Sequence, residues 1–556
     1  MSKLPISLSL GQTRPTLPDS DLRHCQALII DTNQASRSLL RSMLSDLGLQ
    51  NIVQAAKISD ARRALETRTF DVVICDYHFD GSDMTGSDLL DDMRRAQLLP
   101  LSTVFVMVTA EASYVKVAEA AESALDSYLI RPHTANALAE RLHLARHRKV
   151  VLGPIFEAIE QEQYELAMQR CLQRFHERGE YWVYAARLGG ELLLRLERHD
   201  DARKLFEALS ETKALPWAKL GIARAQLDGG HPKPARNTLE SLLSDNPGFA
   251  DAWDVMGRAQ LQSGDFESAL ETYKQAVALT PASISRLQKA GMLAFYLGQT
   301  EEANRVLEKA TSLGLSSKMY DHQSLVMLSM LRLAERDSRG LMRCLNDLSH
   351  AVSKRPYEPR LQRMKLLVEA MDMALNQRPD EVTRILSSMS REFTWPDFDF
   401  EAASNILSLL ARLHEMGTAL PEADEWIRLI ALRFCTSKAS SDMLAITAQA
   451  SEEHARLIVQ TYQTITDMAE KALTHAKSVS AEEAIRSLLA SGNQTGNAKL
   501  LDLTDMMMKR YRSDIPDAQA LDEQITALRD QYCRHVLHVQ LGSTTGRQAG
   551  GLNLRN

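Results

Sequence analysis

The chain has 556 residues, 44% hydrophobic and 25% charged, enough to build several soluble globular domains with large buried cores. Its 72 acidic residues outnumber its 65 basic ones, and the resulting formal charge of -7 argues against a surface made for nucleic acid. Six cysteines, at positions 25, 75, 171, 344, 435 and 533, form no CxxC pair, so neither a zinc site nor a disulfide framework is expected, and this usage fits a reducing cytoplasm.

The opening stretch MSKLPISLSLGQTRPTLPDS is too broken by proline and polar residues for a signal peptide, and no run in the chain reaches the length of a membrane span. Residues 1–24 and 536–556 read as mobile tails. From residue 26 to about 145, strand-like and helical stretches alternate, which predicts a mainly parallel sheet. Four of the predicted strands end in residues that carry chemistry. ALIID ends in Asp31, FDVVICDY holds Asp76, VFVMVT ends in Thr109, and SYLIRP closes with Arg131 and Pro132.

In a parallel sheet these residues meet outside the carboxyl ends of the strands. Together they make a phosphoryl-accepting site: an aspartate attacks phosphorus when positive charge neutralises the phosphoryl oxygens and a hydroxyl holds them in line. Asp76 supplies the nucleophile, Asp31 a carboxylate for a divalent cation, Thr109 the hydroxyl and Arg131 the positive charge.

The order and spacing of these residues resemble the receiver domain of two-component response regulators, from Cys25 to His147, roughly a quarter of the chain. The resemblance implies a doubly wound, five-stranded α/β domain (25–147) phosphorylated on Asp76 by a sensor histidine kinase or a phosphotransfer protein. It implies Mg2+ as cofactor, held by Asp31, Asp76 and the backbone carbonyl of His78, and a switch in which Tyr128 reports the state of the Thr109 hydroxyl. Two departures stand out. Thr32 replaces the second acid that the family usually has after its first strand, and a neutral hydroxyl is a poor substitute at a hard cation, so a weakened Mg2+ site is expected. Arg131 replaces the family's lysine, keeping the charge in a planar fork of different reach. The segment DYHFDGSDMTG is also two residues longer than the commonest receiver form.

Beyond about 150 the pattern becomes helical. Ala167, Ala202, Ala235, Ala269 and Ala303 recur at intervals of 35, 33, 34 and 34 residues. The clearest unit, AWDVMGRAQLQSGDFESALETYKQAVALTP, carries Trp253, Gly257, Gly264, Ala269, Tyr273, Ala276 and Pro281. Gly257 and Ala269 are small where paired helices cross, Tyr273 fills the gap to the next pair, and Pro281 stops the second helix. The spacing resembles a tetratricopeptide solenoid over 150–320, and 321–535 reads as divergent helical repeats or, in its last part, a separate bundle. Near 395 the stretch REFTWPDFDFEA interrupts the helices, and its aromatics are expected to plug a junction between helix pairs.

No glycine-rich phosphate loop, serine elbow or HExxH pattern occurs, and His454 and His475 lack partners at metal-ligand spacing. The expected class is α/β plus all-α: a cytoplasmic bacterial response regulator that is not an enzyme and acts through a protein partner on its repeat surface, without nucleic acid or membrane insertion. Two alternatives stay open. One is a constitutive scaffold or inhibitor of another signalling enzyme with a non-phosphorylated receiver; the other is a transcriptional regulator, for which no helix-turn-helix signature is seen.

Overall fold

The structure, a computed structural model, describes residues 22–541 except 80–84, 87–88, 91–92, 94–97, 111–126, 213–214, 282, 316–319, 479 and 534–540. The expected tails thus lie outside the described residues, apart from 22–24 and 541. Leu22 is buried in the receiver core, so that core begins slightly before the expected start at Cys25. The chain divides into two compact units between Gly221 and Ile222.

The first unit opens with five parallel strands: β1 (Gln26–Ile30), β2 (Asn51–Ala55), β3 (Val72–Asp76), β4 (Val104–Thr109) and β5 (Ser127–Ile130). Their order is β2-β1-β3-β4-β5. Strands β3 and β4 are the most apolar because both their faces are covered. The period-2 alternation of side chains separates two cores. On one face Ala27, Ile29, Ile74, Val106 and Val108 pack against Leu40 and Leu44 of helix Gln34–Asp46 and Leu138 and Leu142 of helix Ala135–Val151. On the other, Leu28, Ile30, Val73, Cys75, Phe105 and Met107 pack against Ala61 and Leu65 of helix Ile58–Thr67 and against Leu89, Leu90 and Met93. Burying each such aliphatic side chain contributes roughly 1.5–3 kcal/mol.

Helix Ala135–Val151 leads directly into Gly153–Glu160, the first helix beyond the sheet. The receiver's loop before β4 is held at this junction: Lys149, itself buried, donates to the Leu101 carbonyl at 2.5 Å, and the Leu101 N–H donates to Glu160 Oε1 at 2.7 Å. His147 Nδ1 lies 3.0 Å from the Tyr181 hydroxyl.

Antiparallel helix pairs follow, turning at Gly230, Gly264 and Gly298, which recur every 34 residues with positive φ. The helix crossings are closed by a glycine facing a large side chain sixteen residues later. A Cβ on Gly257 would stand 2.6 Å from the Tyr273 ring, one on Gly190 2.2 Å from Phe206, and one on Gly291 2.7 Å from Leu307. Tyr273 therefore packs onto Gly257 within its own pair. Ala269 and Ala276 are buried, and the Trp253 indole N–H donates to the Pro247 carbonyl at 2.8 Å. Pro281 follows helix Phe266–Leu279.

In the second unit the pairs continue past 320 without the small-residue signature. The first helices of successive pairs, Ile284–Tyr296, Gln323–Glu335, Pro359–Leu375 and Phe400–Glu415, touch in turn, and Lys438–Thr447 packs on both Phe400–Glu415 and Ile284–Tyr296. Side-chain bonds cross this stretch: Gln323 and Asn405 exchange amide hydrogen bonds at 2.6 and 2.8 Å, and Gln449 donates to the Tyr296 carbonyl at 2.9 Å. Phe393, Phe398 and Phe400 are buried beside Phe434, as expected for a junction plug, while Trp395 stays exposed. A 27-residue helix, Glu452–Ser478, then begins the last group of helices. Among the described residues no helix is long and apolar enough to cross a membrane.

Candidate functional site

The strand register assembles the site. Ile30 pairs with Cys75, so Asp31 and Asp76 leave neighbouring strands side by side; Thr109 pairs with Ile130, so Arg131 leaves β5 next to Thr109. The Arg131 N–H donates to the Thr109 carbonyl at 2.8 Å, which fixes the start of its side chain. Asp31, Asp76 and Thr109 are all buried.

Arg131 reaches across both carboxylates. Its Nη2 donates to Asp31 Oδ2 at 2.6 Å and stands 3.3 Å from Asp76 Oδ2. Sequence reasoning missed Ser36, on the first helix: its hydroxyl donates to Asp31 Oδ2 at 2.6 Å and accepts from Arg131 at 3.0 Å. It also missed Arg37, which donates to the carbonyls of Asp31 and Thr32 at 2.7 and 2.9 Å. Both follow Asn33, the cap that starts this helix by accepting from the Ser36 N–H at 3.1 Å, and that capping signal was visible in the sequence.

Burial pushes the Asp76 carboxyl above the ordinary carboxylate range; Arg131 pulls it back and Asp31 pushes it up further. Tyr128 pairs with Met107 in the sheet, and the Arg141 guanidinium lies 5.5 Å from the centre of its ring. His78 forms an isolated bridge with Thr85, at the edge of the long loop whose residues 80–84 lie outside the described set.

Mg2+ is held through charged oxygen donors. Both Asp31 oxygens are engaged, Oδ1 by the Asn33 N–H at 2.7 Å and Oδ2 by Ser36 and Arg131. Among the described residues Asp76 is then the carboxylate left, with the Arg131 guanidinium 3.3 Å away. A hard divalent cation selects charged oxygen ligands, so this arrangement is a poor fit for it.

A doubly wound sheet with an aspartate, a hydroxyl-bearing residue and a cation at its carboxyl edge defines the class of receiver domains. Residues 27–143 match the response regulator receiver domain, and residues 220–284 match the tetratricopeptide repeat. Over 115 residues the chain is 35% identical to the chemotaxis protein CheY of Pseudomonas aeruginosa, covering 21% of this chain and 90% of that protein. Over 120 residues it is 33% identical to CheY-3 of Vibrio cholerae, covering 22% of this chain and 90% of that protein. The solved structure of Vibrio cholerae CheY4 matches 21% of this chain and 95% of its own at 24% identity, with a TM-score of 0.19. Through its N-terminal domain the chain belongs to the response regulator receiver family, and it joins that domain to tetratricopeptide repeats.

Proposed function

We propose that the protein is a phosphorelay response regulator of the bacterial cytoplasm whose receiver accepts a phosphoryl group on Asp76 and whose output is the binding of a protein partner, not catalysis. The supporting observation is the placement of Arg131 between Asp31 and Asp76, with Thr109 ending the adjacent strand. In the transfer, a new bond forms between an Asp76 oxygen and phosphorus while the bond from phosphorus to the donor, a kinase or phosphotransfer-protein histidine, breaks and the donor keeps the electron pair. Arg131 then turns from the carboxylates toward the phosphoryl oxygens, and Thr109 donates its hydroxyl to one of them.

The junction at Lys149 and Leu101 supports a mechanical link between the receiver and the first helices of the array. Helical repeats bind proteins through extended surfaces. Contacts among the helices from Ile284 to Gln449 cover part of that stretch, and the partner surface is assigned to the repeats outside it. The test is incubation of the full chain with acetyl phosphate and intact-mass measurement beside Asp76→Ala. A phosphate-sized gain that depends on Asp76 is expected; no gain in either protein refutes acceptance.

A second reading has an observation of its own. Both Asp31 oxygens already accept hydrogen bonds and Thr32 replaces an acid, which favours a constitutive scaffold whose receiver is a fixed docking module. A partner bound equally by the wild type and by Asp76→Ala, with or without phosphoryl donor, is the outcome that reading requires.

A further inference from the structure

Among the described residues four charged side chains, Asp31 one of them, gather at this site. Two carboxylates, Asp31 and Asp76, face one guanidinium from Arg131, and a second guanidinium, Arg37, caps the carbonyls of Asp31 and Thr32. The two negative and two positive groups sum to zero. Neither guanidinium can be neutralised by losing a proton, because arginine stays charged at any physiological pH. A divalent cation entering this set adds two positive charges to a neutral cluster and must displace Arg131 from Asp31 or pull Asp31 off Ser36.

We propose that Arg131, aligned by Ser36, is the resident cation of this receiver and takes the place of the divalent metal at the Asp31–Asp76 pair. Ser36 is a positioning residue: its hydroxyl touches both Asp31 and Arg131 and holds the fork where it spans the two carboxylates. Thr32 fits the same reading, since a third carboxylate would leave the cluster with one negative charge in excess and invite a metal. The inference rests on the receiver reading of the site, but it concerns which cation sits there and not whether phosphoryl transfer occurs.

The test is a Mn2+ titration of the full chain, following free Mn2+ by electron paramagnetic resonance, with Mg2+ as competitor. The wild type is expected to show no Asp76-dependent binding up to about 10 mM. The double variant Thr32→Asp, Arg131→Lys is expected to gain a site about tenfold or more tighter, lost again when Asp76→Asn is added. Wild-type binding below about 1 mM that Asp76→Asn abolishes overturns the proposal. If the double variant fails to fold, as judged by circular dichroism, the wild-type titration still decides. Intact mass after acetyl phosphate treatment in EDTA and in Mg2+ separates the two readings. A gain in EDTA supports the resident cation, and a gain only with Mg2+ overturns it. No gain in either refutes phosphoryl acceptance while leaving the Mn2+ result to judge the site.

Discussion

The Lys149 ammonium donates to the Leu101 carbonyl at 2.5 Å, across a junction that ties the loop before β4 to the helix leading into the array. Strand β4 begins at this loop and ends at Thr109, so the anchored edge of the sheet is the one opposite Asp76. The carboxyl edge, where a phosphoryl group would arrive, is left to change without breaking the anchor.

Replacing Lys149 with methionine keeps most of the buried stem and removes the donor. An acceptor stripped of its partner in a buried place costs about 1–3 kcal/mol. Urea unfolding followed by circular dichroism is expected to show an early transition displaced to lower denaturant by that amount. An unchanged transition would mean that the ammonium contributes nothing to the junction.

Arg286 binds two aspartates of the preceding helix pair, Nη2 to Asp251 Oδ1 and Nε to Asp254 Oδ2, each at 2.8 Å, and its Nη1 donates to Thr280 at 2.8 Å. All three charged groups are buried. Arg286→Met removes the guanidinium that these two buried carboxylates share, and breaking a buried pair in this way costs about 3–5 kcal/mol. The loss is expected to persist in high salt, because buried charges are poorly screened; a loss that disappears in 1 M salt would argue for a solvated pair.

At Gly257 two effects oppose each other. Alanine gains roughly 1 kcal/mol of helix propensity over glycine, but its Cβ would sit 2.6 Å from the buried Tyr273 ring. Overpacking of about 1–3 kcal/mol outweighs the gain, so Gly257→Ala is expected to lower the melting temperature. In a Tyr273→Leu background the same change should become neutral or stabilising. Equal costs in both backgrounds would show that Tyr273 is not the obstacle.

His322 supplies a pH dependence. Burial, reinforced by Arg355, lowers its pKa from 6.5 to about 4. The unfolded chain therefore takes up a proton that the folded chain refuses in that window, so stability is complete above about 6.5 and falls as the pH drops toward 4. Between pH 7 and pH 5 the wild type should lose on the order of 2 kcal/mol more than His322→Gln. Parallel stability profiles for the two proteins would exclude this histidine as the source.

The sequence by itself determined the receiver and the array. Asp31, Asp76, Thr109 and Arg131 each close an apolar strand, and parallel pairing has one way to bring such ends together. The 34-residue rhythm of glycine and alanine marks helix crossings, because only small residues let the axes approach. Local periodicity carries no information about contacts between distant positions. That Arg131 meets Ser36, 95 residues earlier, was decided by the sheet, whose carboxyl edge gathers the start of the first helix and the segment after β5. The exchange between Gln323 and Asn405, and the Gln449 bond to Tyr296 across 153 residues, were decided by the packing of helices from successive pairs on one another. That packing is a sum over many helix–helix interfaces, which no single repeat spells out.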